Sequence, residues 1–424
     1  IQLPPLPIQR SCDIYRRHLA SKGRGIPLWI PEPNKNLPIQ YQRKGIAIGD
    51  VGIITASGSF AFLFNICLAH DHPINPSTLP MNFKPIHVAA VNIHYQSEFK
   101  NNSHLASAST VRSQNDGDSS GLVFESSASD GAILTMPVGS KSEDLGSVGR
   151  FRKYVAANMV NWYKYAYHDR EYDVRNGDLR LVIGYDTTSF WGMATFSNST
   201  AHQESFRLKF GLIEGRRYGW EYSGMAEVRA GPDAHEIVQL RDNDPSQEDI
   251  NYENQCLFVR TINATLPDKV WDDLGFDYDE LDVYADSDLP TGSSTPALEG
   301  SYRNYSSSAG PSISPPSNQV GTTSTSSRAN DNILTVHATK SVYSSSTFLA
   351  DHPSKAINAM LLKNCSEEVK MAITQDQDWM SVLTDEDTIL PSSEDIIKRI
   401  QVAFDICEED GAWTDTTTFF DFLI

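Results

Sequence analysis

The sequence predicts an α+β fold, with antiparallel sheets and one long amphipathic helix. Three observations carry that reading. DLRLVIGYD, FWGMATFSN, ESFRLKFGLIE, RYGWEYSGMAEV and QCLFVRTINATL are short, alternating or wholly apolar, and separated by turn chemistry, so each reads as a strand. Residues 150–168 place Phe151, Tyr154, Val155, Met159, Trp162 and Tyr163 on one helical face. Strands precede and follow that helix instead of alternating with helices.

From the N-terminus, SCDIYRRHLASKG predicts a short amphipathic helix capped at Ser11 or Asp13 and stopped by Gly23. GIPLWIPEPNKNLP carries four prolines, which excludes regular structure and predicts an extended strap pinned by Trp29. Val51 to Ala69 is free of charge and mostly apolar. Its Ala56-Ser57-Gly58-Ser59 turn, its alternation from Phe60 and its Asn65 argue for a hairpin and against a membrane helix. The hairpin, Gly45–Thr55 against Ser59–Leu68, would lie at the centre of a sheet. Phe60, Phe62, Phe64 and Ile66 would line one face.

HVAAVNIHY (87–95) predicts a further strand, and residues 97–121 predict a long polar loop. GLVFESSASDGAILTMPVG predicts a second hairpin turning at Asp130-Gly131. Residues 267–290 interleave nine acids with apolar and aromatic residues, the pattern of a solvated domain edge. The layout is therefore an α+β main domain over 1–290 and a disordered linker over 291–330. A small C-terminal α/β module fills 331–424. Ser, Thr, Gly, Pro and Asn make up 28 of the 40 linker residues, too polar to bury a core.

The net charge of −19 divides as +5 over 1–100, −14 over 101–290 and −10 over 291–424. An acidic chain lacks the Lys and Arg that neutralise phosphates, so nucleic acid is not an expected partner. The five cysteines are far apart and never form a CxxC pair, which predicts free thiols in a reducing, cytoplasmic setting. A scan for dinucleotide, phosphate-loop, zinc-protease, nucleophile-elbow and calcium-loop motifs is negative, so no cofactor is expected and the balance leans away from an enzyme.

His70-Asp71-His72, near His87 and His94, offers two imidazoles and a carboxylate, a weak metal candidate because Pro73 follows and nothing completes the set. Gln375-Asp376-Gln377-Asp378-Trp379 suits a capped turn with Trp379 as anchor better than a catalytic acid pair. Trp191 and Trp220, each beside a glycine, suit sheet packing better than a ligand platform.

GIAIGDVGIITASGSFAFLFNIC, NGDLRLVIGYDTTSFWGMATF, NQCLFVR and HPSKAINAMLL…MAITQDQDW together resemble a large, expanded family of uncharacterised proteins of mushroom-forming fungi. Two places depart from that pattern. His70 and His72 stand where the family implies acidic or small residues, and Gln375 and Gln377 where it implies a histidine and an acid. LRLVIGYDTTSFWGMATF also resembles a strand pair of fungal gasdermin-like proteins, which implies membrane-inserting hairpins. The leading expectation is a non-enzymatic intracellular module that binds a protein partner. The alternatives are a gasdermin-like pore former, whose membrane segment would be the Phe60, Phe62, Phe64, Ile66 hairpin, and an enzyme without a recognisable motif.

Overall fold

Every residue from Leu179 to Thr188 is buried, as is every residue from Gln255 to Ala264, and these two long strands pair antiparallel at the centre of the molecule. The computed structural model describes residues 10–108, 110–113, 121–197, 206–213, 217–222, 226–242, 251–276, 352–364 and 369–404. All of them belong to one compact unit; the 291–330 linker lies outside the described residues.

The chain enters through α1 (Ser11–Ala20), β1 (Ile26–Pro27) and α2 (Ile39–Lys44), then forms the hairpin β2 (Asp50–Ile54) and β3 (Phe60–Asn65). Six strands follow: β4 (Ile93–Phe99), β5 (Ser103–Ala106), β6 (Thr110–Ser113), β7 (Gly121–Ser126), β8 (Asp130–Met136) and β9 (Ser140–Leu145). Helix α3 (Gly149–Lys164) precedes β10 (Leu179–Thr188), β11 (Trp191–Ser197), β12 (Phe206–Ile213), β13 (Arg217–Tyr222) and β14 (Ala226–Gly231). Helix α4 (Ala234–Arg241), β15 (Gln255–Thr265) and α5 (Asp268–Asp272) come next. The last elements are α6 (Pro353–Asn364), β16 (Ala372–Gln375), α7 (Asp376–Met380) and α8 (Ser393–Ala403).

The large sheet grows from β10 and β15, and each shares its outer edge between two shorter strands. Along β10, β2 pairs with Leu179–Leu181 and β9 with Gly184–Thr187. Along β15, β1 pairs at Phe258 and Val259 and β16 at Ile262–Thr265. The β2–β3 hairpin forms in antiparallel register, but at the sheet's margin and not its centre. Its shorter span is offset by α3, whose Phe151, Val155, Met159, Trp162 and Tyr163 are buried in the same core as Phe62, Phe64, Leu181 and Ile262. The helical stripe read in the sequence thus faces the sheet.

A sandwich of two four-stranded sheets stands beside it, β14-β11-β8-β5 and β13-β12-β7-β6. The first is buried on both faces. Ala132, Leu134, Met136, Trp191 and Met193 pack toward α1 and Trp29, while Ile133, Ala194 and Phe196 meet Leu122, Phe124 and Leu208 of the second. Period-two alternation is therefore present but both phases are apolar, as in FWGMATF. The expected hairpin at Asp130-Gly131 does not form: β7 and β8 lie in different sheets, and the chain crosses between layers there. RYGWEYSGMAEV likewise divides into β13 and β14 of opposite sheets, and the expected loop 97–121 contains β5 and β6.

The separate C-terminal module over 331–424 is corrected by the pairing of β16 with β15 and by the packing of α6 and α7 on that strand. Its apolar residues Ile357, Leu361, Trp379, Ile396 and Ile400 form one cluster that includes Ala20 of α1. The main domain drawn over 1–290 therefore needs residues 352–404 to complete its sheet. Limited trypsin at Arg303 or Arg328, where the composition favours cleavage, should leave two fragments that co-elute on native gel filtration and separate only in denaturant. Separation without denaturant would contradict the β15–β16 pairing.

Candidate functional site

The sequence-nominated residues fall into three places. Phe60, Phe62, Phe64 and Ile66 are buried in the large-sheet core, so they present no surface to a partner or a bilayer in this structure. Phe64 meets Trp162 and Tyr165 edge-on, each 5.5 Å between ring centres, and Phe62 lies 4.4 Å from Tyr41. The glycine at Gly52 is required by this packing: a Cβ there would come within 2.6 Å of the Phe60 ring. Asn65, the polar break in the apolar run, donates to Asp50 at 2.6 Å and to the Ile48 carbonyl at 3.1 Å. Asn75 then closes the outer edge of β3, its side chain accepting from the Asn65 amide at 2.7 Å and donating to the Asn65 carbonyl at 3.2 Å. Burial pushes the Asp50 carboxyl up to about 7.

His70, Asp71 and His72 lie in the turns after β3. His70 and Asp71 are exposed, and His72 Nδ1 accepts the Ile74 amide at 3.2 Å. Among the described residues no group of three His, Cys, Asp or Glu is placed to hold a metal ion.

The QDQDW segment makes the turn its composition suggests. Gln375 caps α7 in a reciprocal box with Asp378, whose Oδ2 accepts the Gln375 amide at 2.8 Å. Asp376 is fully buried. It accepts hydrogen bonds from the Thr261 amide and hydroxyl (2.7 and 2.8 Å), the Ser354 hydroxyl (3.1 Å) and the Trp379 indole (3.0 Å). Arg180 lies 3.8 Å away, and His352 packs edge-on against Trp379. Every group here faces another protein group, so the cluster clamps α6 and α7 to β15. Burial pushes Asp378 up to about 7 and drives His352 well down. Trp191, which donates to Gln255 at 3.0 Å, and Trp220, which donates to the Arg229 carbonyl at 2.9 Å, are packing residues.

One cleft open to solvent lies at the end of the sandwich. The start of β7, the end of β12 and the start of β13 frame a cleft of about 500 Å³ with the Pro137-Val138 turn and the Asn101-Asn102 turn. Its floor is Phe210, stacked on Tyr218 at 5.9 Å with 13° between planes, beside Leu122. Leu212 stands at its rim, 58% exposed. Its side chains are apolar apart from two amides and the Tyr218 hydroxyl, and backbone polar groups of Gly121 and Gly211 join them. Sequence reading passed over it because its residues come from five segments; the one local signal was FGLI, where alternation stops and two apolar residues adjoin. No family model, curated protein or solved structure matches the chain.

Two measurements test the buried groups. Phe62→Asp buries an unpaired charge at a cost of roughly 4 kcal/mol or more, comparable with the ~5–15 kcal/mol of a whole domain. Circular dichroism should show an unfolded chain; a native spectrum with an unchanged melting temperature would contradict the core placement. The second concerns pH. Asp50 and Asp378 are raised from an ordinary 3.8 to about 7, so the folded state holds their protons more tightly. Their contribution is complete below the unfolded value and lost as pH rises through the folded one. Stability should therefore fall between pH values of about 4 and 7 on their account. Asp378→Asn, which keeps an acceptor for the Gln375 amide, should make the fall shallower in thermal melts from acid to neutral pH. Parallel profiles for the two proteins would count against it.

Proposed function

We propose that this chain is a non-enzymatic cytoplasmic interaction protein that holds an apolar segment of a protein partner in the open end of its sandwich. The observation that carries this reading is the cleft itself. It exposes Leu212 beside the Phe210–Tyr218 stack, and its lining offers contact area and two amides. Such a lining recognises and orients more readily than it transfers protons. The partner segment is apolar and flanked by Lys or Arg, because a chain of net charge −19 draws cationic partners.

Three observations support the reading. The fully buried cluster around Asp376 is an internal clamp. Cys12, Cys67 and Cys256 are free thiols, as suits a reducing compartment. Among the described residues no helix is long and apolar enough to cross a membrane. Burial of Phe60, Phe62, Phe64 and Ile66 favours this reading over a pore-forming one.

Selection of displayed random peptides on the full chain, followed by calorimetry, tests it. Enriched peptides should pair apolar residues with flanking Lys or Arg and bind with a Kd of about 1–100 μM. Leu212→Asp should weaken them roughly tenfold or more while leaving the melting temperature unchanged. Failure to enrich any peptide, or binding that survives Leu212→Asp, would overturn the proposal.

A further inference from the structure

A second cleft, of about 470 Å³, opens at one end of the large sheet, where the end of β4, the start of β9 and the end of β10 lie side by side. It shares only Asn101 and Val138 with the apolar cleft, and its chemistry is different. Strand register builds it. Lys141 has Ser97 of β4 as its partner on one side and Thr187 of β10 on the other. A cross-strand row shares one face of a sheet, so an ammonium and two hydroxyls stand together. Ser189 and Glu253 continue the polar wall, with Phe99 and Val138 as its apolar part.

We propose that this cleft binds a small phosphorylated polyol, such as a sugar phosphate. Four observations converge on that class. Two cations, Lys100 and Lys141, line the cleft within an acidic chain, a local field that draws an anion. Lys100 has no acidic partner among the described residues. Among the described residues Lys141 is held only by Glu253, at 2.6 Å with side chains 62% and 44% exposed. A solvated pair of this kind is weak and exchangeable for a ligand anion.

The third observation is the turn at Gly139: its φ is +76°, and a Cβ there would lie 2.3 Å from the Phe99 carbonyl oxygen. That close approach brings the strand bearing Ser140 and Lys141 against the turn bearing Lys100. The fourth is size. The volume exceeds what a bare phosphate fills and lies in the range of small-molecule sites. Ser97, Thr187 and Ser189 are suited to a polyol's hydroxyls, and Glu253, once displaced from Lys141, accepts from them.

Calorimetry on the full chain with glucose 6-phosphate, glucose and inorganic phosphate tests this. Glucose 6-phosphate should bind with a Kd of about 1 mM or tighter, more weakly as salt rises. Glucose should give no heat, and inorganic phosphate should bind roughly fivefold more weakly or less well still. Lys100→Gln and Lys141→Gln should each weaken binding roughly fivefold to tenfold, both with unchanged circular dichroism. Equal affinity for inorganic phosphate would overturn the polyol part. No binding, or binding indifferent to both lysine substitutions, would overturn the site. Co-sedimentation with phosphatidylinositol 4-phosphate vesicles, uncompeted by glucose 6-phosphate, would replace the soluble ligand by a lipid headgroup.

Discussion

The carboxylate of Asp376 receives four hydrogen bonds from three separate elements, and the rest of the structure depends on that convergence. Two come from Thr261 in the middle of β15, one from Ser354 at the start of α6 and one from Trp379 in its own helix. Hydrogen bonds to a charged group contribute about 1.5–3 kcal/mol each. The charge is buried beside Arg180, and losing one member of a buried pair costs about 3–5 kcal/mol. Against the ~5–15 kcal/mol by which a domain is stable, this one side chain decides whether the C-terminal elements stay docked. Their docking supplies β16, and β16 covers the second half of β15.

The sandwich depends on the large sheet in turn. Its inner sheet needs apolar cover on both faces, and the second face is supplied by α1, Trp29 and the start of β15. Arg229 links the two, stacking on Trp29 and Trp191 and reaching Glu32 at 3.3 Å. With both inner faces closed, the free apolar area is left at the sandwich's end, where β12 and β13 run past the cover. The two clefts sit on either side of the Val138 turn for the same reason: that turn joins a sandwich strand, β8, to a large-sheet strand, β9.

Most elements were legible because their signals are local. The α3 stripe, the β2–β3 hairpin with its Ala56–Ser59 turn, the capped turn at Gln375, and the cores of β10, β11, β12 and β15 follow from residues adjacent in sequence. What was not legible is which strand lies beside which. Asp130-Gly131 has the chemistry of a hairpin turn, but a chain that crosses from one layer to the other uses the same residues, and only the partners distinguish the two. Likewise nothing in MAITQ names β15 as its neighbour, and the strand β16 it forms is set by that pairing. The clefts were hidden for the same reason, since both are assembled from distant segments. Phe60 to Ile66 illustrate the opposite limit: an apolar hairpin suited to a bilayer has the same pattern as one suited to a core, and the α3 aromatics decide between them.

The divided edge of β15 has a consequence for the order in which the protein is made. β1, made well before β15, can cover Phe258 and Val259 as soon as β15 emerges. Ile262 to Thr265 must wait for β16, roughly 110 residues later, which at about 5–20 residues per second is on the order of 5–20 s. During that interval a nascent chain carries a bare strand edge, a template for pairing with a neighbouring copy on the same message. Slow decoding across the Ser- and Thr-rich stretch would lengthen the interval, and a chaperone holding that edge would shorten its risk.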